Sequence, residues 1–268
     1  VSWPKWEEVG PDEWRETRIP GALLVPMRSP SGTLHSLQAI YPDKVDGRDK
    51  DFLPHGEKAG KFHLIGEAAE GVPLCVAEGY ATAASIHQVT GWPVAVAFDA
   101  GSLEAAALAL HHAHPSARFI LCADDDAFGE CFACKAPVRV ADGDTCLTCS
   151  QPHKRRNAGQ LRAAEAAQAV GGVVASPEWS DPAERWQSYQ ETRKAPTDFN
   201  DLANSPREGE GPDAVRHILD AARTILEGLQ GDETPPAAPA PAQESETPAS
   251  SPETAPAAPA DEPEKPAK

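Results

Sequence analysis

Positive charge is scarce in this chain of 268 residues: 24 Lys and Arg stand against 41 Asp and Glu, for a formal net charge of −17. A protein this acidic does not hold nucleic acid through a general positive field. Any such binding falls to local basic patches, bound cations or a tethered partner. No apolar run reaches the roughly 18 residues of a membrane span, and no N-terminal run of basic, apolar and small residues marks a signal peptide. The expected compartment is the cytoplasm, with no membrane partner. The chain begins at Val1 rather than Met, as a fragment or a processed form would. Aromatic residues are missing altogether from 231–268, which is largely Pro, Ala, Glu, Ser and Thr. Such a segment cannot bury enough surface to offset its ordering entropy, so it reads as a disordered acidic tail.

Cysteine is also sparse, with six in all. Cys75 and Cys122 lie inside apolar runs and read as core. The other four form two C-x2-C pairs, Cys131/Cys134 and Cys146/Cys149, separated by eleven residues. Without a secretion signal these read as thiolate ligands rather than disulfides, and two knuckles at this spacing can close a tetrahedral Zn2+ site. The stretch between them has hairpin composition, with 138–140 as a strand and 142–144 as a turn.

The rest of the chain divides by rhythm. Residues 1–19 are rich in Trp and charge and look like the end of something that began upstream. Residues 22–65 alternate apolar and polar positions between turns, which predicts a small antiparallel sheet that includes 61–65. From Val72 the pattern becomes strand–helix–strand: strands at 73–77, 94–98, 118–123 and 172–175, helices at 80–89, 103–112 and 159–170. Ser102 is a plausible cap of the second helix. This alternation implies an α/β fold with a parallel sheet and right-handed crossovers, whose ligands bind beyond the C-terminal strand ends. Glu78, Asp99, Asp124 and Asp126 all fall at that edge. Residues 178–195 read as a charged connector and 213–229 as an amphipathic helix.

Asp124, Asp125 and Asp126 follow one another, and a fold keeps three adjacent carboxylates only for a reason. By itself such a run is a polar turn or a metal site. Strand alternation would turn Asp124 and Asp126 to one side and Asp125 away. Two carboxylates on one side make a hard-oxygen site suited to Mg2+ or Mn2+.

A strand ending in Glu78-Gly79, a helix, a second strand, a helix, and then a strand ending in Asp124-x-Asp126 resemble the TOPRIM domain of bacterial-type primases, topoisomerases and certain nucleases. The resemblance narrows to primases of phages, plasmids and integrated elements through six ordered phrases, at 24–28, 36–38, 52–54, 77–83, 97–101 and 198–202. It covers roughly residues 20–205. It implies a β-rich primase subdomain at 1–70, a TOPRIM catalytic domain at 71–205 with a zinc-ribbon insertion at 129–153, a helix at 206–230 and the tail at 231–268. It further implies Glu78, Asp124 and Asp126 as catalytic metal-binding acids, with Asp198 and Asn200 as a second metal-holding pair. Thr82 stands where such primases often carry a further Asp, and Asn200 replaces a more usual Asp.

The expected activity is synthesis of short RNA primers on single-stranded DNA from nucleoside triphosphates, with Mg2+ or Mn2+ and a possible helicase partner. A metal-dependent TOPRIM nuclease and a non-catalytic nucleic-acid-binding fragment are the alternatives. Arg28, Lys50 and Lys61, together with the run Lys154, Arg155 and Arg156, are the candidate contacts to nucleotide or template. The latter run reads equally as a solvated helix start. The ribbon, beside the acids, is placed to guide single-stranded template.

Overall fold

Alternate residues of four short apolar strands are buried on opposite faces, and this decides the architecture. The computed structural model describes residues 1–10 and 13–229; the expected tail lies outside the described residues. In chain order the strands and helices are β1 (Ser2–Gly10), β2 (Glu13–Pro20), β3 (Leu23–Arg28), β4 (Leu34–Val45), β5 (Arg48–Phe52), β6 (His63–Ile65), β7 (Leu74–Ala77), α1 (Tyr80–Thr90), β8 (Val94–Val96), α2 (Leu103–Ala113), β9 (Phe119–Cys122), β10 (Phe128–Glu130), β11 (Pro137–Arg139), α3 (Ala158–Val170), β12 (Val173–Ala175), α4 (Pro182–Thr192), α5 (Phe199–Ala203) and α6 (Pro212–Gly228).

The central sheet has the order β12-β9-β7-β8-β6. Its first four strands are parallel, and β6 joins antiparallel at the β8 edge. Cys75, Ala77, Val94, Val96, Ile120 and Cys122 face a core shared with α1, α5 and α6. Leu74, Val76, Ala95, Ala97, Phe119 and Leu121 face a core shared with α2 and α3. Both faces are covered, as a parallel sheet requires, so its strands read as continuous apolar runs. The connection leaving β7 runs to β8 on one side, and the one leaving β9 runs to β12 on the other. The chain therefore reverses its winding between β7 and β9. The crevice at their C-terminal ends is where an open sheet of this kind binds ligands.

The N-terminal residues form a β1–β2 hairpin that buries Trp3 and Ile19 against Ala22, Ala39 and Tyr41. The Trp-rich residues 1–19 thus form most of a hairpin that packs on the first sheet. β3, β4 and β5 make the expected antiparallel sheet. The expected fourth member does not stay with it: only Phe62 bridges back, to Arg28, while His63–Ile65 joins the central sheet. Alternation predicts that a strand exists, but it carries no information about its partner.

Two other expectations change. Residues 178–195 are no loose connector but contain α4, capped by Asp181, whose side chain accepts from the Glu184 N–H. The Asp-Pro-x-Glu start was a readable signal. Ser102 does not cap α2 through its side chain; a 3-10 turn, Ala100–Ser102, leads into that helix instead.

Candidate metal and active site

Glu78 lies immediately beyond β7 and Asp124 two residues beyond β9, so both project from strand ends that flank the winding reversal. Their charges meet those of Asp126, Asp198 and, at Glu78, Asp99. Burial, followed by the charges of Asp126 and Asp99, pushes the Glu78 carboxyl up to about 7. Burial and then the Glu78 charge push Asp124 up to about 8. Lys50, on β5, opposes both shifts and is the cation that the N-terminal sheet brings to this edge.

Glu78 Oε1 and Asp124 Oδ1 are buried with no hydrogen-bond partner. Unpaired carboxylate oxygens facing other carboxylates fit a hard divalent cation, which supplies the missing partner and cancels the repulsion. The acids do not close a tight cage, since among the described residues only the four cysteines gather within 4.8 Å of one another. An open carboxylate edge suits Mg2+-type ions, which bind one or two carboxylates and complete their shell with water and substrate phosphate.

Two helix starts hold this edge. Asn157 caps α3: its Oδ1 accepts from the Gln160 N–H and from the Asp126 N–H, and its Nδ2 donates to Asp125 Oδ1 at 2.7 Å. The Gly159 N–H donates to Asp126 Oδ2 at 3.1 Å, so this carboxylate sits on the helix N-terminus, where the dipole favours negative charge. Gly159 also permits the approach, because a Cβ there would lie 2.3 Å from the Asp124 carbonyl oxygen. Gly159→Ala is therefore expected to push the acidic loop off α3. The melting temperature should fall by several degrees and divalent-metal affinity by roughly tenfold, read by calorimetry and Mn2+ titration.

The second is that of α5. Asp198 caps it, with Oδ1 accepting from the Asp201 N–H and Oδ2 from Thr82 Oγ1 at 2.9 Å. Thr82, buried on α1, thus replaces a charge with a hydroxyl donor that aims Asp198. Asn200 Oδ1 accepts from Ser85 Oγ at 2.9 Å, which places this side chain in the α1–α5 contact. Phe98 adopts a positive φ of 75° while buried, and it turns the chain at the end of β8 just before Asp99. Asp99 in turn lies 4.0 Å from Lys58.

Asp125 is turned away from Glu78, as expected, but it is not idle. It is buried and accepts from Trp179 Nε1 and Arg185 Nη1 as well as Asn157. Sequence reading missed Trp179 and Arg185, which come from 54 and 60 residues further along the chain. No local pattern signals them.

The cysteines converge fully. Sγ of Cys131 lies 3.7 Å from that of Cys149, and Sγ of Cys134 lies 3.7 Å from that of Cys146. A tetrahedron with Zn–S bonds of about 2.3 Å has an edge of about 3.8 Å, so the thiols fit zinc. The Cys149 backbone N–H pulls the Cys146 thiol down to about 6, whereas Cys149, despite the Gln151 backbone, is pushed up to about 12 by the Cys134 thiol and burial, so Cys146 gives up its proton before Cys149 does. The hairpin is drawn differently from the sequence expectation. β11 pairs with β10, upstream of the first cysteine, rather than with a strand between the knuckles. Phe132 and Leu147 stand exposed on the two knuckles.

The basic candidates are spread out. Arg155 Nε donates to the Glu130 carbonyl and Arg156 pairs with Asp144, so both fasten the ribbon; Lys154 is exposed. The α3 helix begins only at Ala158, so this run is not a helix start. Arg28 donates to the Gly32 carbonyl, and Lys61 pairs with Glu57.

The fold is a doubly wound sheet with carboxylates at the β7 and β9 ends, and residues 73–145 match the family model of the Toprim domain. The chain thus carries a Toprim domain. It is similar to DNA primase TraC of Escherichia coli, at 33% identity over 212 residues, covering 78% of this chain and 12% of that protein. A second DNA primase TraC from the same organism is 32% identical over 156 residues, or 57% of this chain and 12% of that one. The chain therefore spans about an eighth of the length of these relatives. Among solved structures, the zinc-binding and RNA polymerase domains of the Aquifex aeolicus primase superpose with a TM-score of 0.43 and 12% identity, over 85% of this chain and 47% of that one.

Proposed function

We propose that this chain is a DNA primase catalytic core that synthesises short RNA primers on single-stranded DNA from nucleoside triphosphates. The observation that carries this reading is the pair of unpartnered carboxylate oxygens, on Glu78 and Asp124, at the winding reversal of a Toprim domain. Similarity to DNA primase TraC over most of this chain supports primer synthesis over cleavage.

Glu78, Asp124 and Asp126 are assigned as the catalytic metal-binding acids, with Asp198 and Asn200 as supporting residues and Mg2+ or Mn2+ as the ion. Such an ion, when bound, polarises the α-phosphate and stabilises the attacking and departing oxygens. The chain's own part is to hold the carboxylates at fixed positions, where burial and mutual repulsion leave them short of a cation. Thr82 orients Asp198, Gly159 and Asn157 orient Asp126 and its loop, and Lys50 offers a positive charge beside the acids. The division we assign is a β-rich subdomain at 1–70, the catalytic domain at 71–205 with the zinc ribbon inserted at 129–153, and a helix at 206–230. Exposed Phe132 and Leu147 suit the ribbon to guide unstacked template bases. A replicative helicase and a cytoplasmic location are what the primase resemblance implies. No helix among the described residues is long and apolar enough to cross a membrane.

The test is primer synthesis on a single-stranded template with labelled nucleoside triphosphates, comparing wild type with Glu78→Ala. Wild type is expected to make short RNA, and the variant to make at least about 100-fold less. Cleavage of DNA by the wild type with Mg2+ alone, without synthesis, would move the assignment to a Toprim nuclease. DNA binding with neither activity would leave an accessory protein.

A further inference from the structure

One buried cation stands beside the acidic edge without a part in that chemistry. Arg185, in the first turns of α4, is 4% exposed. Its Nη1 donates to Asp125 Oδ2 at 2.5 Å, its Nη2 to the Asp125 carbonyl at 2.8 Å and its Nε to the Pro196 carbonyl at 2.7 Å. The rings of Phe128 and Trp179 lie 4.7 and 4.8 Å from the guanidinium carbon. Trp179 Nε1 donates to the same Asp125 oxygen at 3.2 Å. The Asp125 N–H reaches the Thr197 carbonyl at 2.7 Å.

These contacts join two loops that are far apart in sequence. One carries Asp124 and Asp126 on either side of Asp125. The other runs from Pro196 through Thr197 into Asp198. A guanidinium is the group for this task, because its donors leave in fixed directions in one plane; a lysine ammonium cannot bond both loops in the same geometry. Burial of an ion pair is weak as a source of stability, since apolar residues of equal volume often serve as well. Its value here lies in the geometry it fixes.

We propose that Arg185 is a positioning residue that clamps the Asp124–Asp126 loop to the Pro196–Asp198 loop and thereby sets the divalent-metal affinity of the acidic edge. This rests on the metal-site reading given above. The clamp acts through Asp125, whose side chain is turned from the metal-facing carboxylates and whose two neighbours in the chain are those carboxylates. Asp125 thus has the opposite duty from Asp124 and Asp126: it faces inward to be held so that they can face outward in register.

The experiment uses the full chain, loaded with zinc, and Mn2+ as the probe. Free Mn2+ is read by electron paramagnetic resonance, without nucleotide or DNA, for wild type, Arg185→Lys, Asp125→Asn and Asp124→Asn. Arg185→Lys and Asp125→Asn are expected to raise the Mn2+ Kd by about tenfold or more, with zinc content and far-UV circular dichroism unchanged. The Mn2+ concentration for half-maximal primer synthesis should rise by the same factor, and the rate at saturating Mn2+ should return to within about threefold of wild type. A Kd within twofold of wild type in either folded variant overturns the clamp. If Arg185→Lys fails to fold, the isosteric Asp125→Asn decides. If neither folds, the pair serves global stability and the proposal falls. A wild type that binds Mn2+ through Asp124 but makes no primer sinks the primase reading alone. A wild type that makes primers while Arg185→Lys leaves Mn2+ affinity unchanged sinks the clamp alone.

Discussion

Asp124→Asn is expected to reduce template-directed primer synthesis by about 10³-fold or more, with fold and zinc content intact. The substitution keeps the volume of the side chain and removes the charge that a divalent cation needs at the β9 end. It should also change how stability depends on pH. In the metal-free protein, burial and the Glu78 charge hold Asp124 at about 8, and burial and the Asp126 charge hold Glu78 at about 7. Between about pH 4 and pH 8 the folded state therefore holds protons that the unfolded chain has released. The contribution of these groups to stability falls as pH rises through that window and levels off above it. Metal competes with the same protons, so metal affinity rises over the same interval. In Asp124→Asn one of the two groups is gone, while Glu78 keeps the burial and the Asp126 and Asp99 charges that raise it. The metal-free melting temperature of wild type should thus drop more steeply from pH 5 to pH 8 than that of the variant, by on the order of 5 °C. Mg2+ or Mn2+ should restore the wild type only. Parallel pH curves for the two proteins would show that Asp124 is not the strained carboxyl described.

Removal of the ribbon metal carries the second large effect. The ribbon's own core is little more than Cys131, Val138 and Cys146, with Ala136 and Cys149 at its side. That is too little apolar surface to order the segment without a metal, whereas structural zinc supplies about 10–16 kcal/mol in small finger domains. Purified protein should hold about one zinc per chain. Cys146→Ser should lose it, and protease should then cut within 127–153 while the central sheet stays folded on its two separate cores. Primer synthesis should fall by roughly 10- to 100-fold. The ribbon is seated on α4 through Phe128 against Trp186 and Tyr189, through Arg139 over the Trp186 ring, and through Arg193 with Glu130. α4 also bears Arg185. Zinc below about half an equivalent in wild type purified without chelator would remove the ribbon assignment.

What could be read in advance followed from local rules. The apolar runs at 74–77, 94–96 and 119–122 are uniform because both faces of a parallel sheet are covered, and alternation with helices places their acidic ends on one edge. The cysteine spacing is likewise local, and its thiols meet at the distance a tetrahedral ion requires. Local patterns misled where a partner had to be chosen. His63–Ile65 looked like one more strand of the first sheet but binds β8, and Val138 pairs with Gly129 rather than with a residue between the knuckles. In the basic run at 154–156, Arg155 and Arg156 each meet an oxygen of the ribbon, contacts that the run itself does not reveal.

The alternating α/β chain, the paired cysteines and the acidic strand ends are legible locally, because each depends on residues within a few positions of one another. What holds those acids in place is a set of contacts between distant parts of the chain. Thr82 meets Asp198 across 116 residues, and Arg185 meets Asp125 across 60. Such contacts arise from how helices dock on the sheet, and side-chain periodicity, the only long-range signal in a single sequence, reports which face is buried but not which partner is found there.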